Sequence, residues 1–179
     1  MQLCRPLQAT RPGGIRGPGS LVGMRLSSTS LLPCSVERLG AELSRPALLH
    51  RIAAPMLIFV ASDPASSTER WRPGKFRFRL LVGGKIPIGE HTINVQHVTG
   101  GSDEVPTRQL VWHDAGYSDL IKVWDHKIVL EPFHGMTRYT DQVEIIAGPL
   151  TVAAWLFAKV FYAHRQRRLS RLVAAGLGG

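Results

Sequence analysis

Hydrophobic and polar positions alternate along the middle of the chain. Phe76, Phe78, Leu80 and Val82 take turns with Lys75, Arg77 and Arg79, the period-two signature of a strand with one buried face. Gly83-Gly84 predicts a hairpin turn, because primed turns need positive φ. A long strand follows over about Lys85 to Val98, changed in character by Pro87 and Gly89, and Gly100-Gly101-Ser102-Asp103 turns the chain again. Thr107 to His113, Leu120 to Glu131 and Met136 to Ile146 predict three more strands, and the apolar run Met56 to Val60 a short earlier one. Before that run, Ser35 caps a short helix through Leu43, and Pro46 starts a second over Ala47 to Ile52. Pro149 to about Leu172 has no internal Pro or Gly, and Leu150, Ala154, Phe157 and Phe161 recur at helical spacing beside Val152, Leu156 and Val160. Pro149 and Gly176 frame a helix about 36 Å long at 1.5 Å per residue.

The expected fold is therefore α+β. Two short helices lead into an antiparallel meander of about six strands, and one long C-terminal helix closes the chain. A meander cannot bury its apolar face alone, so the long helix is its natural cover. A curved sheet wrapped around that helix leaves a gap, to be filled by side chains or by a ligand. Residues 35–174 form the expected domain, 175–179 a disordered tail, and 1–34 a flexible basic leader rich in Gly and Pro.

Composition changes this picture little. The 179 residues carry a formal charge of +9, which taken whole would suggest a polyanionic partner. Its distribution argues otherwise: residues 1–36 hold +4, the segment from His164 onward +4, and the body between them +1. The terminal arginines, Arg165 among them, oppose the dipole of the last helix and read as a solvated end. They lack the interleaved aromatics of a nucleic-acid surface, so no nucleic-acid partner is expected. Cys4 and Cys34 have neither zinc-ligand nor CxxC spacing and read as free thiols of a reducing, cytoplasmic setting. The seven histidines show no ligand-type spacing, and no metal or cofactor is expected.

The stretches Ser44-Arg45-Pro46-Ala47-Leu48-Leu49, Trp71-x-x-Gly74, Ile86-Pro87-Ile88-Gly89-x-His91, Trp124-x-His126, Thr137-x-Tyr139-x-Asp141 and the terminal helix together resemble the ligand-binding SRPBCC, or START-like, superfamily. This helix-grip group includes START lipid-transfer domains, the birch-pollen allergen fold, aromatic polyketide cyclases and many uncharacterised bacterial proteins, the last being the subgroup most resembled. The resemblance covers about residues 35–172. It implies an apolar cavity between sheet and last helix that binds a small hydrophobic molecule or lipid, as a carrier or sensor. One departure stands out. The family opens with a clear strand, whereas Met24 to Pro33 reads MRLSSTSLLP, a poor strand former; either a weak strand forms there or the grip stays incomplete.

The last hairpin holds the sharpest candidate chemistry. With its loop centred between Phe133 and His134, His126 faces Asp141, Trp124 faces Val143, Ile128 faces Tyr139 and Leu130 faces Thr137. That register puts Trp124, His126, Ile128, Tyr139, Asp141 and Val143 on one face. An Asp beside a His raises the His pKa and fixes its tautomer, as acid–base catalysis requires. The alternative to a carrier is thus a cyclase- or dehydratase-like enzyme using His126 and Asp141 with Tyr139; the bland alternative is a self-satisfied polar pair. Candidate cavity residues beyond these are Phe78, Leu80, His91, Trp112, Leu156 and Val160. Trp71 and Trp155 join Trp112 and Trp124 as large aromatics suited to a pocket or a core. A third reading is a tail anchor, since Ile145 to Ala163 is apolar apart from one Lys and is followed by an Arg cluster. Gly148-Pro149 interrupts it and leaves about 15 apolar residues, the length of a buried core helix, so membrane contact is not the favoured reading.

Overall fold

A computed structural model describes residues 23–99 and 110–177. Strand β1 (Met24–Leu32) leads into helices α1 (Val36–Leu43) and α2 (Pro46–Ala53). Strands β2 (Leu57–Ala61), β3 (Gly74–Val82), β4 (Ile86–Thr99), β5 (Leu110–Ser118), β6 (Val123–Phe133) and β7 (Met136–Ile146) follow, and α3 (Thr151–Ala174) ends the fold. All seven strands form one antiparallel sheet in the order β1-β7-β6-β5-β4-β3-β2. The meander runs β2 to β7, while β1 joins it at the far edge; α1 and α2 carry the chain from one edge to the other. Register shifts between Arg79 and Leu81 and between Val95 and His97 bend the strands, as bulges do. This is the helix-grip arrangement, an α+β sheet gripping a long C-terminal helix.

The segment with the poorest strand composition forms a full strand. Met24 to Leu32 pairs residue by residue with β7, from Met24 opposite Ile145 to Leu32 opposite Thr137. Its inner and outer faces alternate, and its inward hydroxyls are claimed by the last helix: Ser28 Oγ and Ser30 Oγ donate to Gln166 Oε1 at 3.0 and 2.7 Å. A ready edge on β7 and a polar partner on α3 override weak propensity. The domain thus begins inside the stretch expected as leader, and the grip is complete at this edge. The expectation for residues 1–22, Cys4 included, lies outside the described residues, as do the turn at 100–103 and the start of the strand expected at Thr107.

The tail expectation also changes. Leu177 is buried against α1 and α3, Arg38 Nη2 donates to Gly176 O at 2.6 Å, and Leu177 N donates to Leu172 O at 2.7 Å. With Gly176 at φ +87° this is a Schellman ending, whose apolar residue past the glycine packs back on the helix. No helix of the described residues is long and apolar enough to cross a membrane. The run Ile145 to Ala163 is divided between the end of β7, a turn of 3-10 helix over Gly148–Leu150, and α3, so it is not one continuous apolar helix.

Two apolar clusters hold the layers together. One joins α1 and α2 to the C-terminal half of α3 through Leu39, Leu48, Ile52, Leu130 and Leu169; the other joins β2, β3 and β4 to its N-terminal half through Phe59, Phe78, Ile93, Ala158 and Phe161. Burial of these side chains at roughly 25 cal/mol per Å² is the main stabilising term.

Candidate functional site

Between the two clusters lies a cavity of about 240 Å³. Leu43, Leu48, Leu49 and Ile52 from α1 and α2 form one wall, and Leu57, Phe59, Leu80, Ile93, Val95 and Ile128 from the sheet another. Ala154, Phe157, Phe161 and Tyr162 from α3 close it, with Trp71, Trp112 and Trp124 between. Ile88, Glu90 and Leu120 line it while exposed at the surface, which marks the mouth. His91, His113, Asp114, His126, Tyr162 and Arg165 are the ionisable residues lining it inside that mouth.

Six of the residues expected at the cavity line it: Leu80, His91, Trp112, Trp124, His126 and Ile128. The others do not. Phe78 is fully buried behind the wall, edge-on to Phe59 at 5.8 Å and to Trp71 at 6.2 Å. Val143 is core, opposite His126. Tyr139 and Asp141 have no exposed surface and sit behind His126, toward α3. Leu156 and Val160 are 53% and 62% exposed. At 100° per residue they lie on average roughly 110° round the helix from Ala154, Phe157 and Phe161, which turns them to solvent. Trp155 also stays outside the cavity, its Nε1 donating to Arg25 O on β1 at 3.0 Å.

The hairpin register differs from the expected one by two residues. His134 and Gly135 both have positive φ, +47° and +77°, so they form the two-residue turn and Phe133 pairs with Met136. His126 is therefore opposite Val143, and Asp141 opposite Ile128. A shift of two leaves every side chain on its expected face. The diagonal pair still meets: His126 Nε2 lies 2.8 Å from Asp141 Oδ1.

Asp141 is the centre of a dry polar cluster. Tyr139 Oη donates to Asp141 Oδ1 at 2.8 Å, and Gln166 Nε2 donates to Oδ2 at 3.0 Å and to Ser28 O at 2.7 Å. Arg165 Nη2 lies 3.8 Å from Oδ1 and donates to Tyr139 Oη at 3.1 Å. Burial by itself would raise the Asp141 pKa; Arg165 and the His126 and Gln166 hydrogen bonds outweigh it and hold the carboxyl below its ordinary value. Burial lowers His126, and because an ionised carboxylate only accepts, Nε2 donates to Asp141. Burial drives His91 down to about 4 and lifts Asp114 to about 7, although Asp114 Oδ1 accepts from Asn94 N at 2.7 Å.

Two of these groups escaped the sequence reading. Arg165 was expected at a solvated helix end, yet it is 5% exposed. Its place in the buried stripe Ala158, Phe161, Tyr162, Arg165, Leu169, Val173 is the signal that identifies it. Asp114 follows the strand expected to end at His113; the strand runs on to Ser118, and parity then puts Asp114 on the Trp112 face. Among the described residues no group of three or more His, Cys, Asp or Glu is placed to hold a metal ion.

No protein-family model matches the chain, and no curated protein matches it in sequence. Solved structures do match. A protein from Chromobacterium violaceum superposes with a TM-score of 0.60 at 14% identity, over 83% of this chain and 96% of that one. A protein from Nitrosomonas europaea gives 0.58 at 19% identity, over 85% and 95%. A START superfamily protein from Mycobacterium smegmatis gives 0.51 at 13% identity, over 84% and 97%. At such identities the likeness is one of fold, and it agrees with the strand order and helix placement above. The chain has the SRPBCC, START-like helix-grip fold.

Proposed function

We propose that the protein binds a small hydrophobic molecule between the sheet and α3, as a carrier or sensor. The observation that carries this reading is the cavity itself. Protein interiors pack to crystal density and keep few voids larger than a water molecule, and an unfilled apolar void costs roughly 24 cal/mol per Å³. A 240 Å³ space lined by Leu, Ile, Phe and Trp side chains and opening between Ile88 and Leu120 is suited to an apolar guest. Its volume falls just below the usual range of roughly 300–1,000 Å³ for ligand pockets, which favours a compact ligand over a long-chain lipid.

Binding without turnover suits the polar cluster better than catalysis does. Of His126, Asp141 and Tyr139, only His126 lines the cavity. Its Nε2 is committed to a carboxylate that already accepts from Tyr139 and Gln166. The cluster ties β1, β6, β7 and α3 together and so holds the cavity wall in place.

Native mass spectrometry of the full chain, purified from cells and then offered a panel of small aromatic hydrocarbons, tests the reading. A one-to-one adduct that organic extraction removes is the expected result. No adduct from cells and none from the panel would overturn it.

A further inference from the structure

The inner wall of the cavity is polar on one side only. The α1, α2, β2 and β3 walls are hydrocarbon and aromatic ring, whereas His91 on β4, Trp112 and Asp114 on β5, His126 on β6 and Arg165 on α3 bring polar groups to the remaining side. Asp114 and His126 are directly opposite in the β5–β6 ladder, and Arg165 is close enough to both to act on their charge. Two donors there are buried and unpartnered among the described residues: Trp112 Nε1 and Arg165 Nε. Leaving a buried donor unsatisfied is costly, and native structures rarely do so without a functional reason. Three other polar atoms nearby are engaged. His126 Nε2 serves Asp141, Tyr162 Oη accepts from Trp124 Nε1 at 3.3 Å, and Asp114 Oδ1 accepts from Asn94 N.

We infer that the ligand is an apolar body carrying one neutral carbonyl-type oxygen, and that this oxygen seats against Trp112 and Arg165 beside Asp114. The inference rests on the ligand-binding reading above and adds the chemistry and the direction of the guest. A hydrocarbon would leave both donors unsatisfied. A cationic amine would face the Arg165 guanidinium. A carboxylate would bring a second negative charge beside Asp141, which already balances Arg165 at 3.8 Å. An uncompensated charge in a dry site is strongly unfavourable. A ketone or aldehyde accepts two hydrogen bonds at no cost in charge. Asp114, largely protonated below its pKa of about 7, presents a further donor from the same side.

The test compares three probes of nearly one shape on the full chain: 2-acetylnaphthalene, 2-ethylnaphthalene and 2-naphthoate. The readout is the ketone-to-ethyl affinity ratio in wild type against Trp112→Phe, in which differences in water solubility cancel. The ratio is expected to fall roughly fivefold on losing the indole N–H. An unchanged ratio overturns the inference, and so does tighter binding of the naphthoate than of the ketone at about pH 8. Failure of the ketone and the ethyl compound alike to bind overturns the ligand-binding reading itself. Should Trp112→Phe not fold, the carbon-13 carbonyl resonance of labelled ketone bound to wild type decides. A downfield shift from its position in hexane is expected, and an unshifted line contradicts the donation.

Discussion

His126 and Asp141 touch although the sheet does not place them opposite one another. They belong to pairs two steps apart along the β6–β7 ladder, with Val143 and Ile128 as their direct partners, and the imidazole leans across the diagonal to 2.8 Å. Diagonal neighbours in a sheet are within reach of long or aromatic side chains. The contact makes a carboxylate with no solvent exposure tolerable, because Arg165, Tyr139 and Gln166 supply the charge and hydrogen bonds it needs.

Removing that carboxylate while keeping its shape isolates its role. Asp141→Asn leaves Arg165 buried without its counter-charge, and breaking a buried pair from one side costs about 3–5 kcal/mol. Urea unfolding near neutral pH should show a midpoint loss of that size; a loss below about 1 kcal/mol would mean that the pair is not a stabilising element. The pKa of Asp141 is depressed, so its contribution is present above the ordinary carboxylate pKa and fades as pH falls through the folded value.

Asp114 has the opposite linkage. Burial raises its folded pKa from 3.8 to about 7, so the native state binds the extra proton, and stability due to this group is lost as pH rises between those two values. His91 and His126, both lowered, act in the other direction below their ordinary pKa. Comparing wild type with Asp114→Asn cancels them. The variant should gain on wild type from about pH 4 to pH 7 and hold a constant difference above that. A difference independent of pH across this range would show that the carboxyl titrates normally.

The two faces of α3 predict opposite mutational responses. Phe161→Ala removes a buried ring and should cost about 3–5 kcal/mol. Leu156→Ala and Val160→Ala, on the solvent face, should stay within about 0.5 kcal/mol of wild type. Comparable losses at all three positions in thermal unfolding would mean that the outer face is covered.

Gln166 fastens the middle of β1 to the helix, beside the Trp155 bond to Arg25 O. It receives two serine hydroxyls and donates to Ser28 O and Asp141. Gln166→Ala should cost about 1–3 kcal/mol through the groups it leaves unpaired. The loss should be local, with faster hydrogen exchange in β1 than in β5 or β6; uniform acceleration across the sheet would contradict it.

Much of this architecture was legible because period two and period 3.6 are strong signals wherever one face is buried. The alternating strands, the two short helices and the long last helix all came through. β1 did not, because its stability resides in β7 and Gln166 rather than in its own residues. The turn at His134-Gly135 was misplaced because a histidine at positive φ gives no cue of its own, yet the two-residue slip preserved the faces and with them the His126–Asp141 contact. Leu156 and Val160 were misassigned because α3 is apolar on its outer side as well, so hydrophobicity alone does not show which stripe faces the sheet. Arg165 was hidden by its neighbours: one arginine among several reads as a solvated end until a carboxylate 24 residues earlier in the chain is seen beside it.

Occupying the cavity from within is the most direct test of the central claim. Ala154 lines it from α3, and Ala154→Trp should fill part of the space while leaving the sheet unchanged. Calorimetric titration with 2-acetylnaphthalene should give one site per wild-type chain, with the negative heat-capacity change of apolar burial, and Ala154→Trp should weaken that binding at least roughly tenfold without loss of thermal stability. Equal binding by the folded Ala154→Trp variant, or no binding by wild type, would contradict the account.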